Sequence, residues 1–518
     1  MRIAALDLGT NSFHLLVADV HADGHFESIS RDKAMIRLGD VVSREGKITD
    51  AAADAAVATV GRFKRMAEAA GATELHACAT SAIRVATNGD ALVDRIEEET
   101  GVCVEVISGL REAELIFGAI RASVLLEPAP ALCFDLGGGS VEIMVGDAGG
   151  LRWATSENLG VGRLTADFVS SDPINKDERR RLRAHLVDVL TPVAKEVAAF
   201  EPKLFVGSSG TLGDLAHMVA ARRAEDVPIS LNQLAFSRDE LQALHKEILA
   251  STADQRLRFN GLEARRVDLI TAGSIFLSTA MELFGFDELT VSEWALREGI
   301  VLDAIRRHDP EDWSDDPRAL RRASVQGLAR RCGWDEPHAR QVAKLALALF
   351  DRTQEVHELS AEDRELLEYA ALLHDIGEHV SPSGHHKHGA YLVQHGRLRG
   401  FSPAEVQLLA AMARWHRRGT PTATDDFALV DETRVRRLTA LLRIADGLDR
   451  GRSGAVDSIE ARVGPSLVVV CVNARHDVEL EVWGARRKRD LFEKTFGRDL
   501  ELTVRTDAPR GDVSPPRL

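Results

Sequence analysis

Long hydrophobic runs are missing from this 518-residue chain. No stretch approaches the roughly 18 uncharged apolar residues of a membrane-spanning helix, so no span is expected. The opening Met1–Leu8 enters an apolar strand at once. It lacks the basic region, long apolar core and small-residue cleavage site of a secretory leader, which predicts a cytoplasmic protein. Cysteine pairs are missing too. Cys78, Cys103, Cys133, Cys332 and Cys471 are scattered, odd in number and form no CxxC. That excludes a zinc ribbon and a disulfide framework and predicts reduced, buried thiols. Positive charge is also short: 65 Lys+Arg stand against 80 Asp+Glu, a net −15. Such a chain has no global attraction for nucleic acid. A polyanion, if one binds, must be met by local clusters of Arg, Lys and backbone N–H.

What is present suits soluble globular protein: 45% hydrophobic and 28% charged residues. The length allows about three or four domains. The most informative feature is an internal repeat. Asp7–Asp19 reads DLGTNSFHLLVAD and Asp135–Asp147 reads DLGGGSVEIMVGD. Each copy follows an apolar run and precedes another, which spells strand, tight polar turn, strand. Two copies predict a duplicated fold with facing lobes. Strands are expected at Leu75–Ala79, Val102–Ile107 and Leu204–Val206, and helices at Asp50–Ala70, Arg111–Leu125, Arg179–Phe200 and Arg266–Phe284. The mixture is α/β. Arg306–Pro317 is charged and unpatterned and reads as a linker. Beyond it the apolar spacing turns helical over Arg318–Cys332, His338–Gln354, Asp363–Leu373, Pro403–Trp415 and Arg434–Leu448. Leu467–Asn473, Val478–Trp483, Arg486–Phe496 and Leu500–Val504 then predict a small ββαβ unit. Asp507–Leu518 holds three prolines and little to bury, as expected of a disordered tail.

Several segments carry chemistry. The turns Gly9-Thr10-Asn11-Ser12 and Gly137-Gly138-Gly139-Ser140 can converge backbone N–H groups and hydroxyls on an anion. Asp7 and Asp135 close apolar strands, where a carboxylate either holds a divalent cation or bonds its own turn. Gly207-Ser208-Ser209-Gly210-Thr211 precedes a helix, a common anion site. Glu112 and Glu114 lie in the first turn of a helix. There they either complement its dipole or supply a general base.

Taken in order, Asp7–Leu16, Ala79–Arg84, Ile107–Phe117, Asp135–Glu142, Gly207–Leu212 and Ser292–Gly299 resemble the exopolyphosphatase / guanosine pentaphosphate phosphatase (Ppx/GppA) family. The resemblance implies two lobes of the actin, Hsp70, acetate-kinase and sugar-kinase type. It implies Glu112 as the base that activates water, Asp135 and Glu142 near metal and water, and Arg84 as a phosphate clamp. Arg111 and Glu114 depart from the family's SGxEEA pattern, while Glu112 is retained. Asp7, Asp135 and Glu142 become the expected ligands of Mg²⁺ or Mn²⁺ in the cleft.

His374-Asp375, with His338 upstream and Asp446 downstream, resembles the metal set of HD-domain phosphohydrolases. Two imidazoles and two carboxylates suit a second divalent ion, or alternatively form a buried polar network. Basic segments at Gly384–His388, His395–Arg399 and Arg414–Arg418 are either a solvated face or a track for a polyanion. The expected layout is actin-like lobes at 1–123 and 124–305, a linker at 306–317, a helical HD-like domain at 318–452, the ββαβ unit at 453–506 and a tail at 507–518. The expected activity is release of terminal orthophosphate from polyphosphate. The alternatives are removal of the 5′ phosphate from guanosine pentaphosphate, a two-lobed kinase, or a non-catalytic sensor. A homodimer is expected, with neither nucleic acid nor membrane as partner.

Overall fold

The computed structural model describes residues 1–21, 26–127, 129–223, 230–308, 317–422 and 427–506. The chain divides into two compact units, Met1–Arg321 and Arg322–Leu518.

In the first unit one sheet holds β1 (Arg2–Leu8), β2 (Ser12–Val20), β3 (Phe26–Met35), β4 (Glu74–Ala79) and β5 (Val104–Val106), in the order β3-β2-β1-β4-β5. A second holds β6 (Ala131–Leu136), β7 (Val141–Asp147), β8 (Gly150–Glu157), β9 (Leu204–Ser208), β10 (Ala235–Ser237) and β11 (Glu288–Val291), in the order β10-β11-β9-β6-β7-β8. The strands β6, β7, β8, β9 and β11 repeat the places of β1 to β5. The repeated motif is therefore a structural duplication. Both central strands are buried over nearly their whole length, and β6 is buried throughout. This explains their unbroken apolar runs. It also explains why a carboxylate near the end of each cannot simply be solvated.

Two helices join the sheets. Ser108 caps Gly109–Ser123 by accepting from Arg111 N–H. This helix packs on β7 and β8, and its Ile116 and Ile120 share a core with Ile3 and Ala5 of β1 and Cys133 of β6. Leu296–His308 packs on Gly109–Ser123 and on β1 and β2. The expected boundaries at 123/124 and 305 therefore differ from the packing. The last helix of the second lobe lies on the first sheet, because Ile300, Val301 and Ala304 find their apolar partners there. Arg306–His308, expected in the linker, complete that helix; residues 309–316 lie outside the described residues.

The second unit has one core. Leu345, Leu372 and Leu441 from its helices pack with Val468, Val470 and Leu500 from a sheet ordered β12 (Ser458–Val463), β13 (Leu467–Ala474), β14 (Asp499–Thr506). The expected separate domains at 318–452 and 453–506 thus share a single interior. Val478–Trp483, expected as a strand, instead opens the helix Glu479–Arg486. Val478, Val482 and Ala485 bury one face at helical spacing, and a short apolar run of this kind fits either period. Cys78, Cys133 and Cys332 are buried, but Cys103 is exposed at the mouth of β5, against expectation. The expected tail at 507–518 lies outside the described residues. No helix of the described residues is long and apolar enough to cross a membrane.

Candidate active site

Strand register assembles the first group. Asp135 of β6 stands opposite Glu142 of β7 on one side and opposite Ser208 of β9 on the other. The Ser208 hydroxyl donates to Asp135 Oδ1 at 2.5 Å. Glu142 pairs in register with Ser156 of β8, whose hydroxyl donates to Glu142 Oε1 at 2.8 Å. Ser140 also bonds this carboxylate. Glu142 is 1% exposed, and its Oε2 is buried with no hydrogen-bond partner.

Glu112 arrives from the first turn of Gly109–Ser123 and is buried. Arg84, from the short helix Ser81–Val85, donates through Nη1 to Ile107 O at 2.7 Å and to Glu112 Oε2 at 3.1 Å. Asp7 comes from β1, opposite His14 of β2.

These carboxylates share one field. Burial lifts Asp7 to about 7, with Arg297 opposing and Asp135 adding. Burial lifts Asp135 to about 6, with the Ser208 hydrogen bond opposing. Glu112 is pushed well above the carboxylate range by burial and then by Glu142, against the pull of Arg84. Glu142 is pushed up by burial and then by Asp135. A set of buried, mutually repelling carboxylates is costly unless a cation or a function requires it.

The glycine turns meet at this group. A Cβ on Gly138 would stand 2.6 Å from Asn11 Cγ, so the second turn lies directly on the first. Carbonyls brace both turns in the same manner. Thr10 O accepts from Gly39 N–H at 2.9 Å, and Gly138 O accepts from Gly162 N–H at 2.9 Å. This leaves N–H groups and the hydroxyls of Thr10, Ser12 and Ser140 as the donors these turns can offer an anion. Ser12 already contacts His14 Nε2 at 2.7 Å, and Ser140 is already turned to the Glu142 carboxylate. In the third loop Ser208 holds Asp135, Ser209 Oγ accepts from Leu212 N–H at 3.3 Å, and Thr211 is buried. Gly210 lies under the Arg266 guanidinium, which would overlap any Cβ there.

Four residues were not anticipated: Ser156, Lys33, Arg266 and Arg297. Ser156 was legible in principle, lying one residue before the end of the strand after β7. The cations were not. Lys33 lies on β3, Arg266 ends the short helix Ala264–Arg266, and Arg297 opens Leu296–His308. All three depress His14 electrostatically, after its burial. Lys33 itself is pulled down to about 8 by burial and then by Arg266. A group of cations thus lies beside the carboxylates, drawn from both sheets' elements. Arg111 and Glu114, the departures from the family pattern, bond each other at 3.1 Å, and Arg111 reaches Asp303 at 2.7 Å. Neither displaces Glu112.

In the second unit, His338, His374, Asp375 and Asp446 also come together. Nε2 of His338 and of His374 each lie 4.0 Å from Asp446 Oδ1. The expected basic track is broken, because His386 and His416 are buried and His385 turns toward Asp375. Lys387, Arg397, Arg417 and Arg418 remain exposed.

Comparison with known proteins agrees with this arrangement. The chain matches the Ppx/GppA phosphatase family over residues 16–308 and domain III of the Ppx/GppA phosphatases over residues 320–473. It is 35% identical over 327 residues to exopolyphosphatase 1 of Mycobacterium leprae, covering 63% of this chain and 94% of that one. It is 28% identical over 455 residues to the guanosine-5′-triphosphate,3′-diphosphate pyrophosphatase of Vibrio vulnificus, covering 88% of each. Among solved structures it resembles an exopolyphosphatase from Cytophaga hutchinsonii, with a TM-score of 0.56 and 32% identity over 59% of this chain and 98% of that one. A Ppx/GppA family member from Aquifex aeolicus gives a TM-score of 0.52 at 27% identity, covering 60% and 99%. With its duplicated actin-like lobes and domain III match, this chain belongs to the Ppx/GppA phosphatase family.

Proposed function

We propose that the chain is an exopolyphosphatase that releases terminal orthophosphate from inorganic polyphosphate at the junction of the two glycine turns. The observation that carries this reading is Glu112. It is a buried carboxyl with a raised pKa, held by Arg84 and facing Glu142. A base for water needs that kind of poise, a carboxylate made more basic by its surroundings. Glu112 takes a proton from water as the water oxygen bonds to the terminal phosphorus. The bridging P–O bond breaks, and the shortened chain leaves with its new terminal oxygen. Arg84 both fixes Glu112 and offers its remaining N–H groups to a phosphoryl oxygen. Most of the catalysis is positioning and charge neutralisation, which preset turns supply.

The residues fit a divalent cation by donor type rather than as a closed cage. The unpartnered Glu142 Oε2, Asp135 and Asp7 supply carboxylate oxygens of the kind that Mg²⁺ or Mn²⁺ takes, although as a set of three they do not draw within 4.8 Å of one another. Asp7, Asp135 and Glu142 would hold it. Bound there, it would neutralise phosphoryl oxygens and the repulsion among the carboxylates.

Polyphosphate is favoured by Lys33, Arg266 and Arg297, cations gathered around His14 with Glu263 bridging the first two, since clustered positive charge suits a repeating anion. A second reading, 5′ phosphate removal from guanosine pentaphosphate, is favoured by the Vibrio vulnificus relative, which matches across 88% of both chains. The test measures phosphate release from long polyphosphate and from guanosine pentaphosphate side by side, for wild type and Glu112→Gln. The variant should lose about 10²–10⁴-fold in kcat while still binding polyphosphate. Turnover within a few-fold of wild type would refute Glu112 as the base. A higher kcat/KM on the pentaphosphate would select the second reading.

A further inference from the structure

The two copies of the repeat differ at one telling position. In the first, Ser12 and His14 lie two residues apart on β2, so both side chains fall on one face of the strand. In the second, Ser140 and Glu142 hold the same two places. Strand register confirms the match: Asp7 stands opposite His14, and Asp135 stands opposite Glu142.

In each copy the serine hydroxyl touches the side chain two residues on. Ser140 bonds the Glu142 carboxylate, and Ser12 Oγ lies 2.7 Å from His14 Nε2. The direction of the hydrogen differs. An ionised carboxylate only accepts, so Ser140 gives its hydrogen to Glu142 and keeps only oxygen lone pairs for any further partner.

The state of His14 is set at its other nitrogen. Nδ1 lies 3.5 Å from Nη1 of Arg297. A guanidinium only donates, so Nδ1 accepts and carries no hydrogen. A doubly protonated ring would set two donors face to face there. The imidazole is therefore neutral, with its one hydrogen on Nε2. Burial and the neighbouring cations favour the same neutral form. Nε2–H thus donates to Ser12 Oγ. The hydrogen of Ser12 is left over, with no acceptor among the described residues. Arg297 opens Leu296–His308, so the last helix of the second lobe fixes the tautomer that sets the first lobe's turn.

We infer that His14 is a positioning residue: it holds Ser12 as a hydrogen-bond donor to a phosphoryl oxygen, while Glu142, in the matching place, makes Ser140 an acceptor. One exchanged side chain gives the two turns opposite polarity, the first toward an anion and the second toward a cation or water. A hydroxyl without His14 is a free rotor that can turn its hydrogen away. With His14 the donor is preset before substrate arrives, and preset dipoles are the ones that stabilise developing charge. The inference deepens the reading of the cleft as a phosphoanhydride site and rests on it.

The test is a double-mutant cycle on the full-length protein: Ser12→Ala, His14→Leu and both together. It is read as kcat/KM for phosphate release from polyphosphate and from guanosine pentaphosphate, or as Kd for polyphosphate where no phosphate is released. Ser12→Ala should lower kcat/KM about 10–100-fold, as for a hydrogen bond to a charged group. His14→Leu should cost a similar factor, and the double variant should be no worse than Ser12→Ala. His14→Gln, whose amide nitrogen can take the place of Nε2–H, should recover most of the loss. A merely structural histidine would give losses that multiply and no recovery with glutamine, and that result would overturn the inference. ¹⁵N spectra of histidine-labelled wild type, with His14→Gln identifying the signal, should show the hydrogen on Nε2. A hydrogen on Nδ1 would overturn the inference even if His14→Leu failed to fold. Wild type that cleaves neither substrate yet keeps the cycle in Kd would sink the reading of the cleft and support this pair. Active wild type with multiplying losses would do the reverse. Wild type that neither cleaves nor binds polyphosphate would overturn both.

Discussion

Asp7→Asn should make the first unit more stable while impairing its activity. Burial raises the Asp7 carboxyl from 3.8 to about 7. At about 1.4 kcal/mol per unit, the ionised form is disfavoured in the folded state by about 4 kcal/mol. The sign follows from proton counts. Below pH 3.8 both folded and unfolded states hold the proton, and the group costs nothing. Between 3.8 and about 7 only the folded state holds it, so stability falls as pH rises. Above about 7 the penalty is complete. An asparagine carries no such slope. Without divalent metal the variant should therefore exceed wild type by up to about 4 kcal/mol at pH 8 and match it near pH 4. The assay is a urea titration read by pulse hydrogen exchange on peptides of β1 and β6, which reports the first unit alone. Added Mg²⁺ should narrow the gap by binding wild type preferentially. An asparagine variant no more stable at pH 8, or equally favoured at pH 4, would refute the claim that Asp7 is held ionised at a cost.

Two further outcomes follow from the same geometry. Asp135→Asn should raise the Mg²⁺ concentration needed for half-maximal phosphate release, because an amide oxygen binds a hard cation less well than a carboxylate; an unchanged requirement would remove Asp135 from the donor set. Gly160→Ala places a Cβ 2.3 Å from the Gly139 carbonyl carbon, so the second turn must shift by a large fraction of an ångström. Its kcat should drop on the order of 10²-fold with the fold intact by circular dichroism, and a kcat near wild type would mean the turn does not position substrate.

What was legible in the sequence was whatever neighbouring residues encode. The repeat gave away the duplicated hairpins, because its two copies keep the same strand period and turn chemistry. Asp135 could be named because it opens one of those turns, whereas Glu112 and Glu142 are named by the resemblance to the Ppx/GppA family, since spacing alone leaves Glu112 and Glu114 level. Arg297, Lys33 and Arg266 could not. They reach His14 from sequence separations of 283, 19 and 252 residues, and only the packing of β3 and two helices brings them there. The helix His385–His395 escaped notice for another reason. Its first turn, His385-His386-Lys387-His388, has no apolar period and reads as surface charge, although His386 is buried and His385 faces Asp375. Domain limits failed where tertiary packing overrides chain order, as in Leu296–His308, which closes on the first sheet.

The Gly109–Ser123 helix touches both sheets of the first unit at once. Glu112, in the first turn of that helix, is bonded to Arg84 from the first lobe and faces Glu142 from the second. Any swing of one sheet against the other would therefore reach the base through both of its neighbours at once. The motion that admits the next phosphate would be the same motion that resets the carboxyl meeting the water.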